Sequence, residues 1–381
     1  MFRAWWMGTL IMACLQAMPA IAGEAPPDLE RAASAPISPR LGTKSDQDAR
    51  VIRQVARRWF KAEWQAYAST FITAEGRVLD NANGDVSHSE GQGYGLLLAN
   101  LAGDGDRFEA IWRWTEKNLA VRPDGLLSWK WDPKKGEIAD KNNATDGDIL
   151  VAWALAEAAQ QFGREDYRIA AKAIARAIGA QTFRTGEGGP ILLPAAAGFA
   201  ASDQPDGPII NLSYWVFPAF PVLKALAPGY DWDALRENGL KLLVHSRFGP
   251  LRLPSDWQSV ASKSPAPAKG FLAQFGYNAI RIPLYLAWDG GEGSREALRR
   301  FAPLWSGKDG VGPFIIDIKS GSASQPFDGL GYRLVLALAG CATSGQPIDP
   351  RLISSRDRFY YPETLRLLAA AVIQERYPQC L

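Results

Sequence analysis

Between residues 46 and 376 one local signal recurs about eleven times: apolar side chains spaced three and four apart. The spacing predicts helices over 46–69, 89–101, 106–119, 146–162, 165–183, 212–226, 233–245, 277–288, 292–301, 328–338 and 362–376, with a twelfth if 350–355 is counted. Strand signals are few and short, at 77–79, 125–131, 189–193 and 314–317, lengths that suit ribbons between helices rather than a central sheet. Such a chain has to bury many helix faces against other helices. The open choices are a bundle, a solenoid or a closed double ring, all of them all-α. Gly- and Pro-rich loops over 183–210 and 248–274 interrupt the helices, and loops that long in a compact domain usually carry function. No internal repeat is evident.

Charge and composition narrow the function. Lys and Arg number 42 against 40 Asp and Glu, so no strong field points at nucleic acid or an acidic membrane. Two histidines, His88 and His245, nearly exclude a multi-histidine metal site, and three cysteines exclude thiolate zinc clusters. The first 22 residues read as a secretory signal peptide, with Arg3, an apolar stretch and Ala20-Ile21-Ala22 before the cut. Ile11-Met12-Ala13-Cys14 also resembles a lipoprotein box, but Ala20-Ile21-Ala22 is the better site. Residues 23–45, rich in Pro, Ala and Ser, read as a disordered linker, leaving 46–381 as one domain. In an oxidising compartment Cys341 and Cys380 are either a disulfide or two unpaired thiols, since spacing alone does not decide.

Two polar segments stand out. In Ser89-Glu90-Gly91-Gln92-Gly93-Tyr94-Gly95 a carboxylate follows a serine at a helix start, where it also serves as a dipole-favoured first-turn residue. Three glycines there cost roughly 1 kcal/mol each against Ala, which makes sense if something must approach the backbone closely. No Lys-Ser/Thr follows, so this is no phosphate loop, and no strand precedes it, which removes the dinucleotide reading. Ser89 beside His88 is a weak serine-hydrolase hint without a nucleophile elbow. In Ala144-Thr145-Asp146-Gly147-Asp148 two aspartates open an apolar helix. Acidic capping explains one of them better than both, and the EF-hand spacing of a calcium loop is absent. Glu90 and Asp146 thus offer two carboxylates at helix starts, which a ring of helices can point into one cleft.

Tryptophan number 14 is the unusual count. Trp59, Trp64, Trp112, Trp114 and Trp153 fall on helices and read as core. Trp129, Trp131, Trp215 and Trp257 fall on ribbons and loops, where they suit stacking on the flat faces of sugars. Two carboxylates, aromatic platforms and an export signal together point to polysaccharide hydrolysis, with one carboxyl protonating the leaving oxygen and a second acting on the opposite face.

Both segments resemble glycoside hydrolase family 8. The Ala144–Asp148 run, followed by Ala152, Ala154, Leu155, Ala158 and Phe162, is similar to that family's signature, and Ser89–Gly95 to its general-acid motif. Trp129-Lys130-Trp131, Asn211-Leu212-Ser213-Tyr214, Leu253-Pro254-Ser255-Asp256-Trp257 and Tyr277-Asn278-Ala279-Ile280-Arg281 add to the likeness, in the family's order. The resemblance implies an (α/α)6 toroid with short β ribbons between helices. It implies an inverting endoglucanase that cuts β-1,4-glucan, some members taking chitosan or xylan, without a metal or other cofactor. The likeness is greatest to periplasmic endoglucanases that accompany bacterial cellulose synthase, implying a periplasmic or secreted protein with a functional link to such a complex. Glu90 becomes the general acid, expected to titrate above a free Glu because Asp146 stands nearby in an enclosed cleft. Asp146 becomes the second catalytic carboxylate, and Tyr94, Trp129, Asp148, Tyr214, Trp257, Tyr277, Asn278 and Arg281 the substrate-binding set. One departure stands out. Many members place their general base, an Asp, where this chain has Asn278, and a neutral amide takes no proton from water. Asp146 is then the first choice for base and Asp256 the second, expected roughly 6.5–9.5 Å from Glu90 in an inverting enzyme. Asn278 is expected to line the cleft and to cap a helix starting at Ala279. The alternatives are a weakly active or inactive glucan-binding relative, and a chitosanase.

Overall fold

The computed structural model describes residues 44–301, 304 and 314–381. The signal-peptide expectation and the linker expected over 23–45 lie outside the described residues, except for Lys44 and Ser45, which open α1 as helix. Residues 49–381 form one compact unit. Its helices are α1 (Lys44–Phe71), α2 (Ser89–Ala102), α3 (Gly105–Asn118), α4 (Thr145–Phe162), α5 (Glu165–Thr182), α6 (Phe220–Leu226), α7 (Trp232–His245), α8 (Arg281–Asp289), α9 (Glu292–Leu298), α10 (Leu330–Ser344), α11 (Pro350–Ser354) and α12 (Tyr360–Arg376).

Burial sorts these helices into two rings. In α2, 12 of 14 residues are buried, in α8 8 of 9 and in α12 13 of 17, so each is enclosed on all sides. In α3 only 4 of 14 are buried and in α7 6 of 14, the single apolar stripe of a helix facing water. From α2 to α5 and again from α7 to α12 enclosed and one-sided helices alternate, and α2 packs on both α4 and α12, so the inner ring closes on itself. This is the (α/α)6 toroid. Because each inner helix is followed by an antiparallel outer one, all inner helices run the same way. Their N-termini gather at one end of the ring, where α2, α4, α8 and α12 bring the polar segments together.

Two predicted helices are shortened at their N-terminal ends, for identifiable reasons. The 212–226 segment divides into turns at Leu212–Tyr214 and Phe217–Ala219 before α6, because Pro218 and Pro221 have no N–H to donate to a helix. The 277–288 segment becomes helical only at Arg281. The strands are short antiparallel ribbons, such as Ser87–His88 beside Lys130–Asp132 and Glu137–Asp140. The predicted 77–79 strand is reduced to isolated bridges, Ile72 with Val78 and Asp80 with Val86. Cys341 and Cys380 are joined, with Cα atoms 6.0 Å apart, tying the C-terminal turn to α10. No helix among the described residues is long and apolar enough to cross a membrane.

Candidate active site

His88 ends its strand in extended conformation and caps α2, its Nδ1 accepting from Gly91 N–H at 3.0 Å. That cap sets the helix to begin at Ser89 and puts Glu90 in the first turn, on the wall of a cleft of about 480 Å³. Ser89 Oγ donates to Glu90 Oε2 at 3.2 Å.

The glycines around Glu90 serve packing. A Cβ at Gly93 would stand 2.6 Å from Leu150 Cβ, and one at Gly95 2.9 Å from Val78 Cγ2. A Cβ at Gly147 would stand 2.7 Å from Ser89 Cβ and 2.9 Å from Glu90 N. What approaches the backbone is therefore the neighbouring inner helix and the 72–86 loop. Only Gly91 faces site groups, the hydroxyl of Tyr360 and the ring of His88.

Asp146 sits behind the cleft wall, fully buried. Oδ2 accepts from Arg281 Nη1 at 2.6 Å and Oδ1 from Gly147 N–H at 3.0 Å. Burial pushes its pKa up to about 7, the Arg281 guanidinium opposing and Glu90 adding to the rise. Arg281, itself buried, donates also to Ser213 Oγ at 2.9 Å and Asn278 Oδ1 at 3.0 Å, and lies over the Tyr214 ring. Tyr94 is buried under this group, its hydroxyl 2.6 Å from that of Tyr285 and 3.4 Å from Arg281. Tyr277, Asn278 and Arg281 line the same cleft as Glu90.

Several expectations are corrected. Asp148 is buried, with Oδ1 accepting from Leu127 N–H and Oδ2 from Asn143 Nδ2. It ties the 126–128 segment to α4 and offers no edge to a sugar. Asp256 spends its carboxylate on Gly276 N–H, Ala279 N–H and Gln274 Nε2. It thereby shapes the turn that presents Asn278 and Arg281, which removes it as a free base. Those same bonds delay α8, so Asn278 lines the cleft without capping a helix. Trp215 is core, fully buried. Trp257 is half-buried in a cluster, its ring stacked near Phe199 and Phe271 and 6.0 Å from Tyr214. Trp129 lies behind the start of α2, its carbonyl accepting from Ser89 N–H. Neither Trp129 nor Trp257 lines the Glu90 cleft. Asp146, with both oxygens engaged and none exposed, has no access to water in this conformation.

Glu90 also departs from expectation. Burial raises its pKa, but His88, and Arg281 at longer range, outweigh burial and hold it below the usual glutamate range. For His88, burial acts downward and the carboxylates of Asp80 and Glu90 win, pushing it up to about 9. The sequence names Glu90 and His88 singly but not as a pair, and it does not mark Asp80, Asp328, Tyr332, Tyr360 and Tyr361 on the cleft wall. His88 carried a signal, since it immediately precedes the acidic helix start; the tyrosines lie in the ordinary-looking first turns of two helices, Tyr332 in α10 and Tyr360 and Tyr361 in α12.

The family model described as glycosyl hydrolases family 8 matches residues 50–375. A probable endoglucanase of Novacetimonas hansenii is 37% identical over 315 residues, 80% of this chain and 88% of that protein. An endoglucanase of Cellulomonas uda is 38% identical over 236 residues, 61% of this chain, and the match spans 65% of that protein's length. Among solved structures, the endo-β-1,4-glucanase CMCax of Acetobacter xylinum superposes with a TM-score of 0.73 at 33% identity, covering 82% of this chain and 97% of that one. A family 8 endo-β-1,4-glucanase from an Achatina fulica gut metagenomic library gives 0.74 at 34%, covering 82% and 98%.

Proposed function

The chain belongs to glycosyl hydrolases family 8, and from that premise we propose that it is an endoglucanase that hydrolyses β-1,4-glucan with inversion, Glu90 acting as the general acid. The observation that carries the reading is the placement of Glu90 in the first turn of an inner helix, on the cleft wall with Tyr277, Asn278 and Arg281. There a sugar chain lying across the ring's end would meet one proton donor and a cationic, hydrogen-bonding floor. Arg281, clamped from beneath by Asp146, sets the positive charge beneath the cleavage point. Tyr214, Tyr94 and Asn278 hold that guanidinium in place, and the Trp257 cluster extends an apolar surface along the same end. Asp146 keeps its place in the site as the carboxylate that orients Arg281.

One observation favours slow turnover. Asn278 stands where many relatives carry their base, Asp256 is bonded on three sides, and Asp146 is buried and paired. Water activation is then left without any of the carboxylates expected to serve as base, Asp328 being the free one on the cleft wall, and the enzyme is weak rather than inactive, because the acid and the binding floor are intact. Export to the periplasm or medium fits the leader sequence and the Cys341–Cys380 bond. A working link to cellulose synthesis rests on similarity to the Acetobacter type of endoglucanase. Release of reducing ends from carboxymethylcellulose by purified protein, with Glu90→Gln as control and chitosan as the second polymer, tests the reading. Equal release by wild type and Glu90→Gln would refute it.

A further inference from the structure

Glu90 does not stand alone on the cleft wall. His88 Nδ1 lies 3.6 Å from Glu90 Oε2, and His88 Nε2 lies 3.5 Å from Asp80 Oδ2. Asp80 is itself fixed, with Oδ2 accepting from Asn83 Nδ2 at 2.7 Å and Oδ1 from Ala82 N–H at 3.2 Å. The Tyr360 ring meets the imidazole edge-on, 5.8 Å between centroids. All four residues border the same cavity. We propose that His88, oriented by Asp80, stores a proton, hands it to Glu90 for each cleavage and is reloaded from solvent.

This role of His88 rests on the general-acid role of Glu90 proposed above. A general acid emerges from each cleavage as a carboxylate and must be reprotonated. A lone glutamate does this only near its own pKa, roughly 4.3. An imidazole beside it holds one proton for the pair over a much wider range. In the stored state Nδ1 carries the proton and Glu90 is ionised. For cleavage the proton crosses from Nδ1 to Oε2, and Glu90 passes it to the glycosidic oxygen as the C–O bond breaks. The attacking water gives its hydroxyl to the sugar and its second proton to solvent. One solvent proton then reloads Nδ1 through the cleft, so the cycle balances.

Two features mark His88 as a group with two states. In the structure Nδ1 accepts from Gly91 N–H, which requires its lone pair and so the neutral ring, with Nε2–H toward Asp80. The electrostatics run the other way, favouring a charged ring beside two carboxylates. When Nδ1 is protonated Gly91 N–H loses its acceptor. The Tyr360 hydroxyl is buried beside Gly91 without a partner of its own. The other groups facing the pair are Arg281 from α8, which favours an ionised Glu90, and Asp146 from α4, which opposes it. Tyr94 and Tyr214 add neutral hydroxyls.

The test has two parts. The chain has only His88 and His245, so ring nitrogen resonances are assignable by NMR with His245→Gln. His88 is expected to titrate near 9 in that protein and to fall when Glu90→Gln is added. A His88 that titrates near the ordinary ~6.5 and ignores Glu90→Gln overturns the proposal without any activity measurement. The second part is the pH profile of kcat. The wild-type alkaline limb is expected near 9, and in His88→Gln it moves down by two or more pH units, so that activity at pH 8 relative to pH 5 drops at least tenfold. Asp80→Asn moves the limb in the same direction by less, and added imidazole restores it in His88→Gly. A uniform loss at every pH with the limb unmoved marks a merely structural His88 and also overturns the proposal. If Glu90→Gln keeps turnover, the general-acid reading itself has failed. If Glu90→Gln is dead and the His88 limb is unmoved, only the proton store has failed.

Discussion

Gly147→Ala probes how the backbone contact between α2 and α4 places Glu90. Gly147 lies within α4, where exchanging glycine for alanine favours the helix by about 1 kcal/mol. Against that, the new Cβ would stand 2.1 Å from Ser89 Oγ, 2.7 Å from Ser89 Cβ and 2.9 Å from Glu90 N. The hydroxyl can rotate away. The Cβ and the peptide nitrogen cannot, because both belong to the backbone frame of the first turn of α2. Restoring an ordinary carbon–carbon separation of about 3.5 Å requires the two helix starts to part by about 0.8 Å. Overpacking of this kind costs about 1–3 kcal/mol, so the net effect is a loss of up to about 2 kcal/mol, a fall in Tm of a few degrees. The larger effect is catalytic, because Glu90 moves with α2 while Asp146 and its bonded Arg281 move with α4. A misplacement near 1 Å costs up to ~10²-fold in rate, and kcat on carboxymethylcellulose is expected to fall about tenfold to a hundredfold. Calorimetry and a reducing-end assay measure the two effects. Gly188→Ala is the control, since a Cβ there meets nothing closer than 3.8 Å, and it is expected to change neither quantity. A Gly147→Ala protein with wild-type Tm and wild-type kcat would refute the idea that this contact places the acid.

Glu90→Gln is expected to lose at least ~10²-fold in kcat while still binding cello-oligosaccharide, as read by calorimetric titration. Asn278→Asp places a carboxylate where Arg281 Nη2 now donates, 3.0 Å away; kcat is expected to rise tenfold or more, and an unchanged or lower value would show that the natural enzyme already has a competent base. Glu63 is buried, which raises its pKa, but bonds from Arg356 and Arg366 outweigh this and hold it below the ordinary glutamate range. Its contribution to stability is therefore full above about 4.5 and lost as pH falls through the lower folded value; wild type should lose more Tm between pH 6 and 3 than Glu63→Gln does. Reducing the Cys341–Cys380 bond frees a loop of 39 residues, an expected loss of about 4 kcal/mol on the chain-entropy account, and equal Tm with and without reductant would contradict it.

Much of this protein was legible along the chain, for a physical reason. Helix periodicity, proline breaks and acidic helix starts are encoded by residues three or four apart. Local reading therefore located α2, α4, α5 and α7 to within a residue or so, and placed Glu90 and Asp146 in first turns. What lay beyond local reading was which partner each polar group finds elsewhere in the ring. Arg281 meets Asp146 across 135 positions and Tyr94 across 187, and nothing local announces either contact. The same ring closure turned the glycines of 91–95 and 147 into packing sites, because inner helices approach one another where a Cβ has no room. It drew Asp148 and Asp256 into backbone bonding, although each sits in a motif that looks like chemistry. It also set His88 between Asp80 and Glu90. In the sequence His88 is a histidine before a serine; its charge state is decided by two carboxylates that the fold alone brings within 4 Å of the ring.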